Sequence, residues 1–148
     1  MSTATQYCTF YLGDLFFGID VLQVQEVILY QDMTCVPLSS PVVSGLINLR
    51  GETVTAIDLR KRLELPEQDR NEPQKNVIIS ADGGTISLQV DEIGDVIEPS
   101  EELLEGPPET LKGIARDLVT GVYKLENQLM LVLDTEKTVE IDASTIAY

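Results

Sequence analysis

The sequence contains no histidine. This removes the commonest general base, the Ser-His-Asp and Cys-His arrangements, and the commonest metal ligand. Any catalysis would have to rest on carboxylate, Lys, Tyr or Cys chemistry. Tryptophan is also absent, and aromatic residues make up only 5%. The core must therefore be built from Val, Ile and Leu, and β-branched side chains favour strands. Positive charge is scarce: 10 Lys and Arg stand against 25 Asp and Glu, for a net charge of −15. Such a surface repels phosphate backbones and anionic lipid, so neither nucleic acid nor direct membrane insertion is expected. No apolar run approaches the roughly 18 residues of a membrane span, and no charged stretch leads into one at the N-terminus. A soluble, cytoplasmic protein is expected. Cys8 and Cys35 lack the spacing of a metal site and read as small buried hydrophobes.

Motifs for small-molecule chemistry are missing as well. There is no GxxxxGK[ST] or GxGxxG phosphate loop. Carboxylates fall in pairs at Asp91-Glu92, Glu101-Glu102 and Glu92 with Asp95, but no segment has the ligand order of a calcium loop. Glycosidase chemistry needs carboxylates that converge, which abundance does not supply. No cofactor or metal is expected. A small carboxylate-dependent enzyme stays as an alternative, and it requires an Asp or Glu with a raised pKa in a concave pocket.

What the chain does contain is a repeat. Short alternating runs read as strands at Gln6 to Leu12, Leu15 to Ile19, Glu26 to Leu29, Leu46 to Leu49 and Thr53 to Asp58. Gly13-Asp14 and Arg50-Gly51 read as turns, Asp20 as the cap of a short helical turn from Val21, and Arg60 to Leu63 as one more turn. Residues 64–75 hold two prolines and many charges, and read as a connector. The pattern then restarts. Tyr7–Ile28 lies over Asn76–Ile97 at a constant offset of 69, matching Gly13-Asp14 to Asp82-Gly83 and Glu26-Val27-Ile28 to Asp95-Val96-Ile97. At an offset of 76, Gly45 to Gly51 lies over Gly121 to Asn127, Asp58 over Asp134 and Lys61 over Lys137. The seven extra residues fall in the second connector, which includes Pro107-Pro108. Each copy offers about five short strands, and closure into a small barrel removes exposed edges. The expected fold is mainly β: two five-stranded barrels related by internal duplication, with short helical turns and a cleft or hydrophobic seam between them.

The charge is uneven across this repeat. Residues 1–64 carry 7 acids and 4 bases, while residues 65–148 carry 18 acids and 6 bases. The plain reading is solubility, and the functional reading is a partly basic protein partner.

The most distinctive segment is Gly45-Leu46-Ile47-Asn48-Leu49-Arg50-Gly51. Gly51 can supply the positive φ of a tight hairpin, Gly45 a close backbone approach, and Asn48 a partner for local backbone groups. Arg50 reads either as a solvated turn charge or as a fixed fork for an acidic group. Glu26 lies among Val24, Val27 and Ile28, where a lone carboxylate would be costly to desolvate. A Glu26–Arg50 pair is therefore predicted, against the alternative that Glu26 simply points outward. Its copy is broken, because Glu126 stands where Arg50 would be and leaves Asp95 without a base.

This segment, followed by Ala56-Ile57-Asp58-Leu59-Arg60, resembles the hallmark of the CheW family. Phe17-Gly18-Ile19-Asp20 with Val24-Gln25-Glu26-Val27 resembles that family's first barrel. Val90-Asp91-Glu92-Ile93, Asp95-Val96, Gly121 and Leu131-Val132-Leu133-Asp134 resemble its second. The chain departs from the pattern at Thr55, where Pro is common, and in the acidity of its second half. The resemblance covers residues 5–138 as a single domain and leaves 139–148 as a tail. It implies two SH3-like barrels, the first over roughly 15–75 with the N-terminal strand open to exchange, the second over roughly 76–138. It also implies a non-catalytic adaptor that joins chemoreceptor signalling tips to the regulatory domain of the histidine kinase CheA. Such an adaptor would be a monomer in isolation, recruited to receptor arrays at the inner face of the membrane. The implied receptor groove comprises Val21, Val24, Glu26 and Val27 with Arg50 from one barrel, and Ile86, Ile93 and Val96 from the other. Gly45, Asn48, Leu49, Gly51 and Asp58 are structural in this reading, and kinase-contact residues are not assigned. An adaptor of the same type serving a surface-motility or developmental array is the alternative pathway.

Overall fold

The computed structural model describes residues 5–29, 33–34, 41–66, 74–81, 84–106, 109 and 113–140. Cys35, Pro37, Asp82-Gly83, Pro107-Pro108 and residues 141–148 of the tail lie outside that set. The first half runs as β1 (Tyr7–Leu12), β2 (Leu15–Asp20), a 3-10 turn (Val21–Gln23), β3 (Val24–Ile28), β4 (Val43–Leu49), β5 (Glu52–Asp58) and α1 (Leu59–Arg62). The second runs as β6 (Lys75–Ala81), β7 (Gly84–Val90), β8 (Glu92–Ile97), a 3-10 turn (Glu101–Leu103), β9 (Leu104–Glu105), α2 (Gly113–Leu118), β10 (Val119–Lys124), β11 (Leu129–Leu133) and α3 (Thr135–Val139). The expected strands are all present, within a few residues of the ends read from sequence. Asp20 caps the first 3-10 turn, its Oδ1 accepting from the Leu22 amide at 2.9 Å.

The strands form a six-stranded sheet, β8-β1-β2-β11-β10-β9, and a five-stranded sheet, β3-β6-β7-β5-β4. Mainly-β architecture in two small sheets is as expected, but the division near residue 75 is not. The β1–β2 hairpin pairs with β8 and β11 of the second half, and the β6–β7 hairpin pairs with β3 and β5 of the first. Both hairpins cross, not the N-terminal strand alone. One barrel therefore comprises β3 to β7, and the other comprises β1, β2 and β8 to β11. The reason is visible at Asp91, the single residue between β7 and β8. The shortest common hairpin loop has two residues, so β8 cannot fold back on β7 and must join the other sheet. The sixth strand is β9, two residues long; its counterpart in the first half is the isolated bridge Thr34–Leu46.

The duplication is written into the registers. Tyr7 opposite Ile97 has its equivalent in Asn76 opposite Ile28, and Phe10 opposite Ile93 in Ile79 opposite Val24. The same β-bulge interrupts both pairs. Leu131 beside Phe17 in one parallel pair corresponds to Thr55 beside Ile86 in the other. A generic alternation of polar and apolar residues would not reproduce register and bulge together.

Side-chain alternation splits each sheet into two faces. On β1 and β2, Phe10, Leu12, Phe17 and Ile19 join Ile57, Val77, Ile79, Leu88 and Val90 of the other sheet in one cluster. This is the seam between the barrels. The opposite faces hold smaller clusters: Tyr7, Phe16, Tyr123 and Met130 on the six-stranded sheet, Ile47, Val54, Ala56 and Ile78 on the five-stranded one. Burying one large aliphatic side chain contributes about 1.5–3 kcal/mol, so separating the barrels would cost more than the about 5–15 kcal/mol margin of a small domain. The two barrels fold as one body.

Candidate functional site

The distinctive segment builds the β4–β5 hairpin. Leu49 pairs with Glu52, leaving Arg50 and Gly51 as a two-residue loop. Both have positive φ, 53° and 88°, as the tight turn between twisted strands requires. Asn48 closes the turn, its Oδ1 accepting from the Gly51 amide at 3.0 Å. Leu49 packs at the edge of the five-stranded sheet's inner cluster. Gly45 lies on β4, where a Cβ would come within 2.7 Å of the Thr34 carbonyl oxygen. Its copy Gly121 faces the Glu105 carbonyl at 3.0 Å, so the shared glycine has the same cause in both halves. Asp58 caps α1, accepting from the Lys61 amide at 3.2 Å, just as Asp134 caps α3.

Arg50 Nη2 donates to Glu26 Oε2 at 2.9 Å. The hydrogen bond and the charge of Glu26 raise the guanidinium pKa further above its already high value, so the base stays ionised. The geometry is lopsided: the Arg50 side chain is 70% exposed and Glu26 28%. Glu26 Oε1 is buried without a hydrogen-bond partner among the described residues. The carboxylate therefore has one oxygen held by Arg50 and one with unused acceptor capacity.

Of the remaining predicted groove residues, Val24, Val27, Ile93 and Val96 lie on two equivalent edge strands, Val21 lies in the 3-10 turn before β3, and Ile86 lies on β7, in the same barrel as Val24 and Val27 and not in the other one as expected. β3 and β8 end their respective sheets, and Val27 and Val96 occupy the same place in the repeat. Val27 pairs with Val77, which is in the seam, and Val96 pairs with Cys8, on the same face of β1 as Phe10. Both valines thus sit on the seam side of their sheets, yet they are 42% and 54% exposed. Val24, Ile86 and Ile93 pack partly buried against the seam, and Val21 is half-buried in the first 3-10 turn. The seam is a filled core, and these residues form its rim where it opens to solvent.

Two features escaped the sequence reading. Leu22 and Leu29, beside the predicted groove residues, are exposed, Leu22 at 89%. The second is a buried ion pair. Arg60 on α1 donates through Nη2 to Asp91 Oδ2, and Asp91 also accepts from the Gly13 amide at 2.7 Å and from Gln74 Nε2 at 3.3 Å. Burial alone would raise the Asp91 carboxyl, but the Arg60, Gly13 and Gln74 hydrogen bonds outweigh it and hold the pKa below the usual range. A signal for the pair was present: in the repeat, Asp91 falls on Leu22 and Arg60 on Glu136, so neither member of the pair is repeated in the other copy.

A carboxylate enzyme would need a carboxyl raised toward neutrality. Asp91, buried to 1% exposure, is shifted the other way by a structural partner. Among the described residues no group of three or more Cys, Asp or Glu is arranged to hold a metal ion. Among them, too, no helix is long and apolar enough to cross a membrane.

Comparison with known proteins agrees with this architecture over nearly the whole chain. The CheW-like domain family matches residues 6–142. The chain is 32% identical over 136 residues to a chemotaxis protein CheW of Treponema pallidum, covering 89% of this chain and 80% of that one. It is 31% identical over 147 residues to a chemotaxis protein CheW of Bacillus subtilis, covering 99% and 94%. The crystal structure of the scaffolding protein TtCheW from Thermoanaerobacter tengcongensis superposes with a TM-score of 0.85 at 26% identity, over 95% of each chain. The chain belongs to the CheW-like domain family.

Proposed function

We propose that this chain is a coupling adaptor of bacterial chemotaxis, joining chemoreceptors to the histidine kinase CheA, and that it meets the receptor at the rim of the barrel seam. The family is one of scaffolds and adaptors, and its named relatives are chemotaxis proteins. The observation that carries the site is the pair of equivalent edge strands, β3 and β8, which present Val27 and Val96 to solvent on the seam side. An amphipathic receptor helix laid along this rim would bury those valines against Val24 and Ile93. The Arg50–Glu26 pair, set on the other face of β3 by Glu26 standing opposite Ile78, would border that helix from beyond the edge and give orientation, since apolar anchors supply affinity and polar neighbours supply register. The protein acts in the cytoplasm without catalysis of its own, monomeric until arrays of receptor and kinase recruit it.

The test is co-sedimentation with receptor-bearing membranes and CheA. The parent chain is expected to join the complex and raise kinase activity. Binding to neither a receptor tip fragment nor the CheA regulatory domain would end this reading. Arg50→Glu should weaken receptor coupling, and adding Glu26→Arg should restore part of it. Absence of any restoration would show that the two residues act separately.

A further inference from the structure

The seam joining the barrels is packed almost wholly by aliphatic side chains and two phenylalanines. Such packing is strong but non-directional, and it leaves the angle between two sheets weakly specified. The short helix α1 supplies direction. It follows β5 of the five-stranded sheet, and two of its four residues reach groups belonging to the other side of the seam. Arg60 pairs with Asp91, the single residue at which the chain crosses from β7 to β8. Asp91 in turn accepts from the Gly13 amide, in the β1–β2 turn of the six-stranded sheet, and its own amide donates to the Tyr11 carbonyl at 3.0 Å. Arg62 donates from Nε to the Thr138 carbonyl at 2.7 Å and from Nη2 to the Lys137 and Glu140 carbonyls at 2.9 and 3.1 Å, closing the C-terminal end of α3. The equivalent residues on α3 are Glu136 and Thr138, and the other crossover carries exposed Leu22 where this one carries Asp91. Only one of the two copies has become a bracket.

We infer that α1 is a polar bracket across the barrel seam, in which Arg60 and Arg62 fix the angle between the barrels and so the spacing of the β3 and β8 edges. Arg60, Arg62 and Asp91 are positioning residues for a partner that spans both edges. That last step rests on the reading of the seam rim as the receptor surface; the bracket itself does not.

The two parts separate in one experiment on the full chain. Spin labels at Glu52→Cys and Gln128→Cys, exposed ends of equivalent hairpins on different sheets, report the inter-barrel distance in a Cys8→Ala/Cys35→Ala background. The parent should give one narrow distance. Asp91→Asn, and separately Arg62→Gln, should shift or broaden it with far-ultraviolet circular dichroism unchanged, and Arg62→Lys should lie between. An unchanged distance in folded Asp91→Asn and Arg62→Gln overturns the bracket. So does unfolding of both, since losing a bracket should leave the apolar seam intact. Co-sedimentation with receptor and CheA is then read on the same proteins. Variants with altered distance but undiminished co-sedimentation overturn the positioning role. A parent that does not co-sediment overturns the functional reading and leaves the bracket standing.

Discussion

Asp91→Asn is the substitution whose consequence for stability is most fully determined. Asparagine keeps the shape and can still accept from the Gly13 amide, but it removes the charge facing Arg60. A guanidinium only 8% exposed then loses the carboxylate charge at Asp91, while its bond to the Pro66 carbonyl remains. Breaking a buried pair from one side costs about 3–5 kcal/mol, a large part of the about 5–15 kcal/mol margin expected of a domain this size. At about 2–4 °C per kcal/mol, Tm should fall by roughly 10 °C. The effect depends on pH in a defined direction. Burial opposes ionisation of Asp91, but the hydrogen bonds from Arg60, Gly13 and Gln74 prevail and depress the folded pKa below the unfolded one. The stabilisation is therefore complete above the unfolded value of about 3.9 and is lost as pH falls through the folded value. Urea denaturation of parent and variant should show a constant gap between pH 7 and about pH 5, closing below about pH 4. A gap under about 1 kcal/mol at pH 7 would place the pair among those that contribute little. A gap that persists at the lowest pH where the parent is folded would show that the variant fails through shape rather than charge.

Gly45→Ala drives a methyl toward the Thr34 carbonyl at 2.7 Å, a backbone atom that cannot rotate away, and should cost about 1–3 kcal/mol in chemical denaturation. Gly121→Ala, facing its carbonyl at 3.0 Å, should cost less, and the reverse order would contradict the close-approach account. Asn48→Ala removes the acceptor for the Gly51 amide and should lower stability by about 0.5–1.5 kcal/mol without altering receptor coupling. Val27→Glu and Val96→Glu lie on exposed sites and should change stability by about 0.5 kcal/mol or less, yet each should reduce co-sedimentation with receptor membranes.

The Glu26–Arg50 pair was legible because its logic is local and chemical. A carboxylate among Val24, Val27 and Ile28 asks for a base, and the β4–β5 turn holds the nearest distinctive one. The Arg60–Asp91 pair was not legible by that route, since Arg60 follows the capping Asp58 in a charged turn and Asp91 stands beside Glu92, so each reads as a surface charge. Leu22 shows the opposite failure: an apolar residue in an apolar run that the fold leaves exposed.

The sequence by itself determined the strands, the hairpin turns, the capping aspartates and the duplication, because each is a property of residues close together along the chain or of one copy laid over another. Tertiary structure alone decided which hairpin joins which sheet. A hairpin's alternation specifies which of its faces is apolar, but not which of two similar apolar faces will cover it. That choice was made at the crossovers, where one residue between β7 and β8 is too few for a return and sends the chain to the other barrel. The same crossing carries Asp91 into the seam beside Arg60 and turns an ordinary acidic residue into the one whose removal the molecule should feel most.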